Sequence, residues 1–88
     1  MIKVAFIGAG SVEFTRNVAT DLCSYPEFRA GLHFALYDIN AERLAHAERL
    51  VNRISAQSGA DATVTATLDR RAALAGADYV IKIGRAHV

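Results

Sequence analysis

Lys3-Val4-Ala5-Phe6-Ile7-Gly8-Ala9-Gly10-Ser11-Val12-Glu13-Phe14 is the stretch on which the fold of this 88-residue chain turns. Lys3 to Ile7 is an apolar, partly β-branched run closed by glycine. That is the pattern of a strand buried on both faces, as in a parallel sheet. Gly8-Ala9-Gly10-Ser11 reads as a tight turn, and the spacing predicts a helix from Val12 to Ser24. Phe14, Val18 and Leu22 fall at i, i+4 and i+8 and are expected to line one face of it. Tyr25-Pro26 ends the helix, because proline disfavours a helical residue before it and has no N–H to continue the ladder.

Working outward, Leu32 to Tyr37 is a second apolar run and a second strand, closed by Asp38. Asn40 is the predicted N-cap of a long helix through Ser58. Leu44, Ala47, Val51 and Ile54 keep helical spacing on it, and Gly59 stands where a C-terminal glycine belongs. From Ala62 to Leu68 threonines alternate with apolar residues, which predicts a third strand near a sheet edge. Asp69 can cap a short helix from Arg70 to Ala75. Gly76-Ala77-Asp78 is a turn, and Tyr79-Val80-Ile81 begins a fourth strand. The order βαβαβαβ, with connections of helical length, predicts an α/β fold with a parallel sheet and right-handed crossovers. Residues 1–82 therefore read as the N-terminal part of a Rossmann domain with strand order 3-2-1-4.

Composition agrees with a folded chain, 52% hydrophobic and 22% charged. The length permits one small domain at most, which would bury only about 60–65% of its unfolded surface. Ten Lys and Arg stand against nine Asp and Glu, for a net charge of +1. The basic residues are scattered among acids, so neither nucleic acid nor an anionic membrane is expected as a partner. The apolar run from Met1 to Ile7 is too short to span a membrane and lacks a signal-peptide pattern, so a cytoplasmic setting is expected. Cys23 is the single cysteine. It can form neither an internal disulfide nor a cysteine cluster, and reads as a small buried apolar residue.

The chemistry sits at Gly8-Ala9-Gly10. In a dinucleotide fold the first glycine makes the strand-to-helix turn. The second lets the backbone approach a pyrophosphate, and the positive end of the next helix faces the phosphates. The third glycine of G-x-G-x-x-G would be residue 13, which is Glu13 here. Its loss weakens the motif, and Glu13 is expected to point away from any phosphate. Alone, such a turn also arises for purely structural reasons, and an acid after a strand also serves as a turn or cap residue. Together, the turn and Asp38 at the end of strand two point to a dinucleotide, with Asp38 accepting from the adenosine ribose hydroxyls. Its charge would repel a 2′-phosphate, which favours NAD over NADP. His33 reads as structural and His46 as solvated. Tyr25, Tyr37 and Tyr79 have no visible acid–base partner. Asp69 reads first as a helix cap, with an approach to the adenine as its other reading. Neither metal-ligand spacing nor a nucleophile–base pair is present.

The run Phe6 to Phe14 resembles the start of family 4 glycoside hydrolases. Further matching stretches are Asp21-Leu22 leading to Pro26-Glu27, Leu36-Tyr37-Asp38-Ile39-Asn40 with Glu42-Arg43-Leu44, and Ala73-Leu74-Ala75-Gly76-Ala77-Asp78-Tyr79-Val80. The G-A-G-S-x-x-F opening is more like the α-galactosidase and α-glucosidase branch. The resemblance covers nearly all of this chain but a minor N-terminal portion of such enzymes. It implies NAD and a divalent metal, expected to be manganese, and a glycoside substrate in a homo-oligomeric parent. NAD would take hydride from C3 of the sugar, a base would remove the C2 proton, and the glycosidic oxygen would leave by elimination. Water would then add and the hydride return, the metal steadying enolate-like charge. The residues carried over as cofactor-binding are Gly8, Ala9, Gly10, Ser11, Val12 and Asp38. The family's metal ligands and tyrosine base lie further along, and Cys23 matches none of them. Lactate and malate dehydrogenase relatives share the A-L-x-G-A-D-x-V piece, so a dehydrogenase parent is the nearest rival. A third reading is a catalytically inert fragment or small NAD-binding module, and the isolated chain, without the other half of the crevice, is expected to bind NAD weakly or not at all.

Lys82 departs from the family it resembles, which has an uncharged residue there, and a lysine in a central parallel strand is costly unless it reaches the end. Ile83-Gly84-Arg85-Ala86-His87-Val88 matches one reading-frame translation of a common sequencing adapter. Residues 83–88 are therefore expected to be a non-native tail.

Overall fold

Strand β1 (Ile2–Ile7) lies inside a parallel sheet, between β2 (Leu32–Tyr37) and β4 (Tyr79–Lys82), with β3 (Thr63–Thr67) beyond β2. A computed structural model describes residues 2–29, 31–60 and 62–82, so the expected tail at 83–88 lies outside the described residues. The sheet order is β3-β2-β1-β4, as the sequence predicts. Register runs from Ile2 opposite Leu32 to Ile7 opposite Tyr37, so β1 and β2 end side by side. On the other flank Val4 is opposite Tyr79 and Ile7 opposite Lys82.

Alternation along each strand divides the sheet into two faces. Val4, Phe6, Leu32, Phe34 and Leu36 are buried on one face under helices α1 (Val12–Ser24) and α3 (Ala41–Ser58). Leu44, Ala47 and Val51 of α3 complete that core with Ala19 and Cys23 of α1. The Phe6 and Phe34 rings meet edge to face at 5.7 Å, the arrangement their quadrupoles favour. On the opposite face Ala5 and Ala35 are buried, and the short helix α4 (Arg70–Leu74) packs there through Ala73. Lys3 closes this face: its Nζ donates to the carbonyls of Ala75 at 2.6 Å and Ala72 at 3.3 Å, at the end of α4.

The predicted caps hold. Asn40 Oδ1 accepts from Arg43 N at 2.9 Å, and Gly59 ends α3 in the left-handed region at φ 77°. Asp69 Oδ1 accepts from Arg71 N at 3.0 Å. Two expectations change. The inward face of α1 is Thr15, Ala19 and Cys23, while Phe14 is 51% exposed and Val18 and Leu22 are only partly buried. Small residues let α1 lie against α3, and Thr15 is held inward because its Oγ1 donates to the Ala9 carbonyl at 2.9 Å. Helix α2 (Pro26–Arg29) follows the break at Tyr25, with proline in the first helical position, where its missing N–H costs nothing. Lys82 is exposed at the end of β4, so its charge stays in water.

Candidate functional site

Parallel strands bring their carboxyl ends to one edge, and the turn after β1 meets the residue after β2 there. Gly8 adopts φ 93°, a conformation that side chains rarely tolerate, and so reverses the chain between β1 and α1. Its N–H and that of Ala9 both donate to the Tyr37 carbonyl, at 2.9 and 2.8 Å. The Gly10 N–H donates to Asp38 Oδ2 at 2.7 Å. The Ser11 N–H turns back to the Gly8 carbonyl at 3.1 Å. The turn is thus stapled to the end of β2 by three consecutive amides.

Ser11 stands at the N-cap of α1, but its side chain makes no capping bond. The first-turn amides of Val12, Glu13 and Phe14 therefore lack a side-chain cap, and the helix dipole reinforces them as anion donors. Glu13, in the position of the absent third glycine, is exposed, so its bulk does not obstruct packing between helix and sheet. Asp38 is half-buried, and its second oxygen, Oδ1, accepts from Asn40 N at 2.9 Å. The structure thus gathers Gly8, Ala9, Gly10, Ser11, Val12 and Asp38 into one locale.

A Cβ at residue 10 would stand 2.5 Å from Asp38 Oδ2 and 2.8 Å from Arg43 Cβ. Glycine is required there by the chain's own neighbours, a reason the sequence reading did not contain. Arg43 is the residue that reading missed as part of this site. It lines, with Gly10, Val12, Glu42, His46 and Arg49, a cleft of about 420 Å³ between the starts of α1 and α3. His46 is exposed at its rim. An apolar cleft of about 430 Å³ at the other end of the sheet, among Ile2, Leu22, Phe28, Tyr79 and Val80, holds none of the predicted residues.

The remaining candidates have structural roles. His33 lies near the start of β2, away from the carboxyl edge, with Nε2 at 2.9 Å from Thr65 Oγ1. Burial, with the Lys3 ammonium nearby, holds its imidazole below the ordinary value of 6.5. Tyr25 packs edge to face on Phe28 at 5.9 Å. Cys23 is buried in the core. Among the described residues no three His, Cys, Asp or Glu side chains come together to hold a metal ion. Nor is any described helix long and apolar enough to cross a membrane.

Residues 3–86 match the model of the family 4 glycosyl hydrolases. The chain belongs to this family. The family 4 chain is 45% identical over 83 residues to an alpha-galactosidase of Rhizobium meliloti (strain 1021), covering 94% of this chain and 17% of that protein. It is 38% identical over 81 residues to an alpha-galactosidase of Bacillus subtilis (strain 168), covering 92% of itself and 18% of the relative. An alpha-glucosidase of Erwinia rhapontici is 37% identical over 81 residues, 90% of this chain and 17% of that protein. The family 4 chain thus spans less than a fifth of the length of these relatives.

Proposed function

We propose that this family 4 chain supplies the part of a NAD site that grips the ADP moiety, within an enzyme that hydrolyses O-glycosidic bonds. The observation that carries this reading is the turn Gly8–Ser11 bonded to Asp38 at the carboxyl edge, beside the uncapped first turn of α1. The amides of Val12 and Glu13 would donate to the pyrophosphate, and Gly8, Ala9 and Gly10 hold the backbone low enough for it to approach. Each carboxylate oxygen has two lone-pair sites, so Asp38 can accept from the ribose hydroxyls while keeping its bonds to Gly10 and Asn40. The same charge disfavours a 2′-phosphate, which selects NAD over NADP. When bound, NAD supplies a reversible hydride acceptor for a sugar carbon.

The names of the relatives extend the proposal to α-galactosides or α-glucosides as substrates. The family match favours this over a lactate- or malate-type dehydrogenase, which would share the cofactor half. A divalent metal such as manganese, a homo-oligomeric parent and a cytoplasmic setting belong to the same proposal. The described residues do not form a metal site. None of them is assigned a catalytic role.

Titration of the isotopically labelled 88-residue chain with NAD and with ADP tests the reading. Shifts should concentrate on the amides of residues 8–14 and 38–40, with weak affinity. Shifts scattered over the surface, or confined to the apolar cleft at Phe28 and Tyr79, would count against it.

A further inference from the structure

We infer that Asp38 is a positioning residue for the phosphate turn as well as a ribose acceptor: its carboxylate is the clasp that fixes the Gly10 peptide before any ligand arrives. This rests on the dinucleotide reading above and assigns the acid a second task within it. Three consecutive amides tie the turn to β2, and two of them, from Gly8 and Ala9, end on the backbone carbonyl of Tyr37. The third, from Gly10, ends on a side chain, at 2.7 Å. That bond lies nearest the start of α1, where the phosphate donors begin. The carboxylate is itself held from its other oxygen by Asn40 N at 2.9 Å. It bridges the turn and the segment between β2 and α3 with both oxygens bonded.

The packing around this bond is tight. Gly10 has no space for a Cβ because Asp38 Oδ2 and Arg43 Cβ already occupy it. The absence of a side chain at residue 10 is what lets the carboxylate come this close. An amide in place of the carboxylate keeps one acceptor oxygen but turns an NH2 donor towards one of the two N–H groups. At least one bond is lost, and two donors are opposed. With the Gly10 bond gone, the peptide between Ala9 and Gly10 keeps only the Thr15 hydroxyl on its carbonyl, and the first-turn donors that follow it lose part of their common aim.

Adenosine and ADP separate the two tasks, since both carry the ribose and only ADP reaches the turn. Asp38→Asn also removes a negative charge. If the acid served the ribose alone, the substitution would weaken both ligands equally, or favour ADP by relieving repulsion. The clasp requires the opposite: ADP should lose about tenfold more affinity than adenosine in the substituted 88-residue chain. Nuclear magnetic resonance titration of both ligands against both chains measures this at weak affinity. In the unliganded chain, hydrogen exchange of the Gly10 amide should quicken about tenfold in Asp38→Ala, which removes both acceptors, with the Val51 amide in the core unchanged. Equal losses for the two ligands, or unaltered Gly10 exchange, would overturn the clasp and leave the dinucleotide reading standing. Failure of both adenosine and ADP to bind the unsubstituted chain even at millimolar concentration would overturn that reading, and the clasp's role in ligand binding with it.

Discussion

Gly10 and Asp38 show how far single residues can be read and where the reading stops. Gly8 and Gly10 are recognisable because a glycine turn between an apolar strand and a helix has few alternatives. Asp38 is recognisable because an acid ends the second apolar run. The bond between Gly10 and Asp38, and the pressure of Arg43 on Gly10, depend on two segments about thirty residues apart coming into register. No local pattern encodes that approach. His33 was rightly placed as structural, and its surroundings add a consequence for stability. Its folded pKa lies below the unfolded 6.5, so the unfolded chain binds more protons between those two values. Stability from this group is fully present above 6.5 and falls as pH drops through 6.5 towards the lowered value. Urea midpoints measured between about pH 7.5 and about pH 5 should decline less steeply in His33→Gln than in the parent chain. Identical slopes would show that His33 does not set the dependence.

Among the elements, α3 was the most readable, because its cap, apolar spacing and terminal glycine agree with one another. Asn40→Ala should cost about 1 kcal/mol, from loss of the bond to Arg43 N, and urea unfolding would report it. A change near zero would mean that water replaces the cap without loss. Helix α1 was placed correctly between its ends but rotated by one residue in the reading. Hydrophobicity favoured Phe14, whereas Thr15 satisfies its hydroxyl on the Ala9 carbonyl and so can be buried at little cost. A periodicity count cannot see a hydroxyl that finds a backbone partner. Helix α2 carries no separate signal in the sequence, because the proline that ends α1 also takes the first position of the next helix. The threonine-rich β3 was placed near an edge because alternation signals one face in water, and Thr63 and Thr65 are exposed there.

At the scale of the whole molecule, strand order followed from the alternation of strands and helices together with the geometry of crossover connections. The proposed parent enzyme can be tested by exchange. Residues 3–82 of this chain, replacing the matching segment of the Rhizobium meliloti alpha-galactosidase, should yield an enzyme that hydrolyses a chromogenic α-galactoside only when NAD is present. Hydrolysis that persists after removal of all NAD would refute the cofactor role. The central place of β1 has a further consequence, for synthesis on the ribosome. Of the described strands this one emerges before the others, and β2 soon offers it one flank, but its other neighbour is the last of them to be made. Lys3 and Asp78 exchange backbone and carboxylate hydrogen bonds of 2.8 Å across a separation of 75 residues. Until that distant segment appears, a hydrophobic strand edge waits open to solvent and to any other nascent chain.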